Sequence, residues 1–369
     1  MSKSNSNKKT NFNELSPINK KENKEKLTQP SLNNTIKQNS SNKQPGIIEV
    51  YEDNFIPEIK KISSLLDEYN YIGMDTEFPG TVFFAENLTE DFYYKALKKN
   101  VDKLKLIQFG ITLTNERGEY PRNFPYHTWQ FNLEFDKRTE LYKPDSINLL
   151  EECGIDFDKL KTRGIKQDIF AEYLMTSNLV LNPEVYWVSF QGSYDFGYLL
   201  KLLINTDLPE REEDFINLLD IYFINYYDIR MFIKGNDNFY RGLNNLADQL
   251  EVKREGKKHQ AGSDSVVTID VFFKLKNNGV INNITFGELK NVLHGIGKGK
   301  DNDETINYAQ IGAINYQNNS KNNMGYINLA LNTNYLNMNY YNYAPMMINN
   351  QNNNLTFHQN NSTQIQTLI

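Results

Sequence analysis

Two acids, Asp75 and Glu77, stand two residues apart in the stretch "YIGMDTEFPG", directly behind a short apolar run and ahead of a Pro-Gly break. On a strand, residues so spaced project to one face, about 6.6–6.8 Å apart along it. Aimed past the strand end, where α/β sheets open their ligand crevice, two such carboxylates repel one another and are partly desolvated, so divalent cations are their natural complement. For this stretch alone, an ordinary solvated turn carrying two acids is the alternative. Two further segments add to it. In "WVSFQGSYDFGYLL" an apolar strand and a small-residue turn precede Asp195, which opens a helix; an acid there also suits the helix dipole. In "KKHQAGSDSVVTIDVFF" Asp264 stands at another helix start, with His259 five residues before it. Together they are the parts of a two-metal phosphodiester cleavage site, in which ions about 3.5–4 Å apart activate a water and stabilise the leaving oxygen.

The elements that must position these groups follow from periodicity. "DNFIPEIKKISSLLDEYN" places apolar residues at helical spacing, with Asp53 or Asn54 as cap and Pro57 in the first turn. "YIGM" reads as a buried strand, and "KLKLIQFGITLT" and "YHTWQFNLEF" as two strands around a turn at Gly118, so the region begins as a hairpin-rich sheet. After residue 145 helices and strands alternate: helices at "SINLLEECGI" and "IFAEYLMTS", the strand "VYWVSF", helices at "YDFGYLLKLLI" and "EEDFINLLDIYF", the strand "NYYDIRMF", then helices at "GLNNLADQL" and "GSDSVVTIDVFFKLK". Alternation of this kind argues for parallel strands covered by helices. A mixed sheet that starts antiparallel and continues in parallel, flanked by helices, is the ribonuclease-H-like α/β arrangement.

Composition confines this fold to the middle of the chain. Residues 1–45 are Asn, Lys, Ser and Gln with Phe12 as their single aromatic, too little apolar surface to offset the entropy of ordering. Residues 301–369 hold 20 Asn and seven Tyr, a bias typical of disordered, self-associating tracts. The folded domain is therefore expected within residues 46–300. The leading tail carries nine Lys against three Glu (+6) and the closing tail one Lys against three acids (−2), which leaves −10 on the middle for the whole chain's −6. An acidic domain that binds a phosphodiester needs local compensation, by bound cations or by a basic rim such as Lys253, Arg254, Lys257 and Lys258. With Cys153 the sole cysteine, neither an internal disulfide nor a thiolate zinc cage can be built. No apolar run reaches membrane-spanning length and no secretory signal opens the chain, so a soluble intracellular protein without a membrane partner is expected.

The blocks "YIGMDTEFPG", "NVDKLKLIQFGIT", "TWQFN", "YDFGYLLKLL" and "HQAGSDS" resemble, in order from about residue 48 to 297, those of the Caf/Pop deadenylases, nuclease subunits of the Ccr-Not complex in the DEDD exonuclease superfamily. The resemblance implies a poly(A)-specific 3'-to-5' exoribonuclease that shortens messenger RNA tails and releases 5'-AMP, using two divalent ions, Mg²⁺ or Mn²⁺. On matching positions it implies that Asp75 bridges both ions, Glu77 and Asp264 complete one, Asp195 helps hold the other, and His259 is the general base. It also implies the poly(A) 3' end of mRNA, a Not-type scaffold and a Ccr-type leucine-rich-repeat deadenylase as partners, and a cytoplasmic location, including mRNA-decay granules, together with a nuclear one. Where the family usually reads "FHSGYDFGYL", this chain has Gln191, Gly192 and Ser193 before Tyr194, so one histidine is lost and the turn aiming Asp195 is altered.

Two rivals remain at this point: a same-fold exonuclease acting on other RNA or DNA ends, and a catalytically weak scaffold or adaptor that keeps the carboxylates. Other signals are read as structural. Asp228 in "YYDIRMF" follows a strand and suits a strand-end role; Asp168 and Asp220 sit in solvated helical patterns; "HGIGKGKDND" lacks the Ser or Thr of a phosphate loop and reads as a flexible exit from the domain. Trp129, Trp187 and most Tyr and Phe are expected to fill cores, while Phe78, Phe83 and Phe84 lie close enough to the acids to line a substrate path. The Asn/Tyr-rich end either drives granule recruitment or is a neutral expansion; Asn runs such as "NNGVINNIT" inside the domain argue for the latter.

Overall fold

A computed structural model describes residues 46–84, 91–239 and 242–300. Both tails, and any role for them in granules, lie outside the described residues. The chain runs β1 (Ile47–Val50), α1 (Phe55–Leu65), β2 (Tyr71–Glu77), α2 (Phe92–Lys103), β3 (Gln108–Thr114), β4 (Thr128–Asn132), α3 (Pro144–Glu152), α4 (Phe157–Arg163) and α5 (Gln167–Thr176). It continues through β5 (Tyr186–Ser189), α6 (Ser193–Ile204), α7 (Glu212–Tyr222), β6 (Tyr226–Asp228), α8 (Ile229–Phe232), α9 (Leu243–Gln249), α10 (Ala261–Asn277) and α11 (Asn283–Glu288).

The six strands form one sheet in the order β1-β4-β3-β2-β5-β6. β2 pairs antiparallel with β3, and β3 with β4; β2–β5, β5–β6 and β1–β4 are parallel. This is the mixed, helix-flanked arrangement expected from the sequence. Strand β2 alternates as a two-sided strand must. Ile72 and Met74 join the core that also holds Phe196, Leu199 and Leu200 of α6, whereas Tyr71 packs with Val267, Ile269 and Phe272 of α10. Helix α10 is buried along nearly its whole length, as a helix without a polar stripe has to be.

Two glycines let α10 lie this close. A Cβ on Gly73 would stand 2.6 Å from the Ser265 carbonyl oxygen and 2.6 Å from Ile269 Cβ; one on Gly110 would stand 2.0 Å from the Ala261 oxygen. Glycine inside a strand marks such an approach, and here it sets the first turn of α10 directly against β2 and β3. The hydroxyls of Thr112 and Ser265, 2.8 Å apart, tie the same contact.

Several expectations need correction. The amino-terminal half is not purely hairpin: α2 stands between β2 and β3, its buried Tyr94, Leu97 and Val101 three or four residues apart on one face. The run "NYYDIRMF" is a strand only to Asp228, whose side chain accepts from the Arg230 amide and starts α8. Residues 294–300 are no flexible exit. Leu293, His294 and Ile296 are buried, Gly297 N–H donates to Glu212 Oε1 (2.8 Å), and Lys300 pairs with Glu212 at 2.5 Å. Within "NNGVINNIT", Asn282 closes a capping box with Thr285 at the start of α11, so this Asn has a local task. Asn54 occupies the N-cap of α1, but its side chain accepts from the Tyr51 amide (2.8 Å) and bonds no helix N–H. Among the described residues no helix is long and apolar enough to cross a membrane.

Candidate active site

At the carboxyl ends of β2 and β5 lies a cavity of ≈ 250 Å³, and Asp75, Glu77, Asp195, Asp264 and His259 all line it. Each arrives by a different local device. Asp75 and Glu77 extend from the same face of β2, the face against which Gly73 admits α10. Asp264 sits in the first turn of α10, and Asp195 in the first turn of α6. His259 lies in the connection before α10 in a left-handed conformation, φ +58°, and its amide donates to Asp264 Oδ2 at 2.9 Å. Single oxygens of Glu77 and Asp264 and a ring nitrogen of His259 come within 4.8 Å of one another, close enough to share a cation.

The electrostatics are those of crowded acids. Burial first, then the charges of Asp264, Asp195 and Glu77, pushes the Asp75 carboxyl well above the ordinary carboxylate range. Glu77 is driven up in the same way, by burial and then by Asp264 and Asp195. Burial raises Asp195 to about 6, against the pull of a hydrogen bond from Thr76. Among the described residues none donates a hydrogen bond to the Asp75 or Glu77 carboxylates. Burial pushes His259 below the usual imidazole value, with Asp264 opposing. Hard oxygen donors whose charges destabilise each other, with one imidazole beside them, suit Mg²⁺ or Mn²⁺. The residues present therefore fit divalent cations.

Three further groups complete the site. Thr76, between the two acids but facing the other side of β2, donates from Oγ1 to Asp195 Oδ1 at 2.6 Å; strand alternation alone would have pointed it there. Arg254, expected on a basic rim, instead turns inward and pairs with Asp264 at 2.7 Å, while Lys253, Lys257 and Lys258 are exposed. Asn244 lines the cavity wall and accepts from Arg254. Neither contact has a signal in the sequence.

The departure at residues 191–193 leaves Asp195 facing the cavity. Gln191 takes φ +57°, its amide donates to Asp228 Oδ1 at 2.8 Å, and Ser193 Oγ donates to the His294 carbonyl at 2.7 Å. Asp228 is thus a structural carboxylate, as its place after a strand suggested, and Asp168 and Asp220 are exposed. Phe78 reaches the cavity and stacks on Tyr194, ring centres 5.3 Å apart; Phe84 is exposed. A more open groove of ≈ 400 Å³ before the starts of β2 and β5 is lined by Asp67, Asn70, Asn178 and Glu184 and holds no comparable convergence of acids with a histidine.

Residues 50–175 match the sequence profile described as CAF1 family ribonuclease. The chain is 43% identical over 260 residues to a probable CCR4-associated factor 1 homolog 7 of Arabidopsis thaliana, an alignment covering 68% of this chain and 93% of the relative. It is 41% identical over 254 residues to the poly(A) ribonuclease pop2 of Schizosaccharomyces pombe, covering 68% and 75% respectively. Among solved structures, S. pombe Pop2p in a form bound to Mg²⁺ and Mn²⁺ superposes with a TM-score of 0.64 at 39% identity, over 68% of this chain and all of that one. Yeast CAF1 co-crystallised with the NOT1 MIF4G domain gives 0.59 at 30% identity, over 67% and 96%.

Proposed function

The chain belongs to the CAF1 family of ribonucleases, and from that premise we propose that it is a 3'-to-5' exoribonuclease that shortens poly(A) tails and releases 5'-AMP. One observation of this chain's own carries the reading: four carboxylates and a histidine from separate segments line one cavity at the sheet's carboxyl edge. Asp75, Glu77, Asp195 and Asp264 would hold two divalent ions, Mg²⁺ or Mn²⁺. When bound, such ions neutralise the phosphodiester's charge and make a water acidic enough to act as nucleophile near neutral pH.

The protein's part is positioning and proton transfer. His259, neutral at cellular pH because burial lowers its pKa, accepts a proton from the attacking water. Its backbone is anchored to Asp264, so the base and a ligand keep one spacing. The water oxygen bonds phosphorus, the bond to the preceding nucleotide's 3' oxygen breaks, and that oxygen is protonated as 5'-AMP departs. Thr76 holds Asp195, and the Phe78–Tyr194 pair offers an aromatic wall on which a terminal base can stack.

Partners follow from the same premise. A relative was crystallised with the NOT1 MIF4G domain, which supports a Not-type scaffold for this chain; relatives named CCR4-associated factors support a Ccr-type leucine-rich-repeat deadenylase beside it. A cytoplasmic location, including decay granules, together with a nuclear one, is part of the same proposal, since messenger tails are found in both. The test is degradation of 5'-labelled poly(A), mixed-sequence RNA and DNA with Mg²⁺, Mn²⁺ or EDTA, by wild type and Asp75→Ala. Stepwise, metal-dependent loss of poly(A) by wild type alone is expected. Equal action on DNA would transfer the assignment to a different exonuclease, and no turnover under any condition would leave a scaffold.

A further inference from the structure

We propose that Arg254 is the positioning residue that holds both Asp264 and the His259 segment in the geometry needed to bind a divalent ion, an inference that rests on the reading of the site given above. The connection from α9 to α10 carries four basic residues, and three of them face solvent. Arg254 does not. From Nη2 it bonds Asp264 Oδ1 (2.7 Å) and Asn244 Oδ1 (2.5 Å), and from Nη1 it bonds Ser263 Oγ (2.8 Å). Ser263 Oγ donates in turn to the Glu255 carbonyl at 2.5 Å.

The other oxygen of the same carboxylate, Oδ2, accepts from the His259 amide. Asp264 is therefore gripped on both sides by two points of one connection, Arg254 and His259. The first contact closes residues 254–264 into a ring, and His259 sits inside it at positive φ. Releasing Arg254 frees the Asp264 side chain and slackens the segment that carries the imidazole. Two of the three groups that converge on a shared cation position, Glu77, His259 and Asp264, depend on this one guanidinium. A lysine would keep the charge, but a single ammonium lacks the planar fork that meets Asp264, Asn244 and Ser263 together.

The opposing effect is repulsion, since a cation beside a metal site disfavours metal. The two effects have opposite signs in one measurement, the affinity for Mn²⁺ read by electron paramagnetic resonance of the free ion over the full-length protein. Outer groups that orient a metal ligand are worth about 10–100-fold in affinity, so Arg254→Gln is expected to bind Mn²⁺ at least about tenfold more weakly than wild type, with Arg254→Lys between them. Millimolar guanidinium added to Arg254→Ala is expected to restore part of the affinity, and methylammonium less. Turnover of poly(A) should fall through kcat with KM little changed. Equal or tighter Mn²⁺ binding by folded Arg254→Gln overturns the proposal. Should that variant not fold, Asn244→Ala, which leaves the ion pair but removes the acceptor orienting it, must weaken Mn²⁺ binding a fewfold, and unchanged affinity overturns the proposal equally. Failure of the wild type to bind Mn²⁺ would instead remove the reading of the site as a metal centre, so the two failures are distinct.

Discussion

Asp228 and Asp264 both stand at the start of a helix beside the carboxyl edge of the sheet, yet they are spent differently. Asp228 is fully buried, and three backbone amides saturate it: Gln191 (2.8 Å) and Arg230 (2.9 Å) on one oxygen, His294 (3.0 Å) on the other. It binds together the turn before α6, the start of α8 and the segment after α11. Asp264 is held by Arg254 and one amide, and faces a cavity that it shares with Asp75, Glu77 and Asp195. A carboxylate whose lone pairs are filled by neutral N–H groups is complete without a cation. Carboxylates that crowd one another in a buried cavity are not: burial first, and then the neighbouring acids, push Asp75 and Glu77 well above the ordinary carboxylate range. Partner type, more than position in the chain, separates these two acids.

The comparison is broken most directly at Asp75. Asp75→Asn should lower poly(A) turnover on the order of 10³–10⁴-fold, the equivalent of several kcal/mol of transition-state stabilisation. The metal-free protein should become more stable, because a repelling charge is gone. A rate within tenfold of wild type would show that Asp75 stands outside the chemistry.

The opposite behaviour is expected at Asp228. Asp228→Ala strands three amides, those of Arg230 and His294 buried and that of Gln191 half-buried; at about 1–3 kcal/mol for each one left unpartnered, denaturant unfolding should show a loss of at least about 3 kcal/mol. Unchanged stability would erase the contrast between the two aspartates.

The smallest effect is one of pH. Asp195 titrates at about 6 in the folded chain against about 3.9 for an ordinary aspartate. Between those values the folded state binds the extra proton. Its stabilising contribution is thus complete below about pH 4 and is lost as pH rises through about 6. In EDTA, Asp195→Asn should gain on wild type by up to about 3 kcal/mol between pH 4 and 7, read as a pH-dependent difference in unfolding free energy. A difference that stays flat would mean that Asp195 does not sense the cluster's low polarity.

Much of this was legible in one dimension. The period of two in "YIGMDTE" placed Asp75 and Glu77 on one face, and the helical period of "GSDSVVTIDVFF" placed Asp264 at a helix start with His259 just before it. What escaped was decided by non-local partners. "NYYDIRMF" alternates like a strand, but its Asp228 caps a short helix because the amide of Arg230 lies within reach. "HGIGKGK" looks like linker until Glu212, far back in the chain, bonds its backbone and Lys300. Arg254 shares a basic run with exposed lysines, and only its partners Asp264, Asn244 and Ser263 hold it inward.

Taken alone, then, the order of residues settled the kind of chemistry available and the local elements carrying it, because side-chain ionisation and backbone periodicity are properties of short stretches. Which acids would share one space was decided by the packing of α10 on β2 and β3, possible because Gly73 and Gly110 have no Cβ where the helix backbone passes. That is a contact between residues more than 150 positions apart, and no local pattern records it.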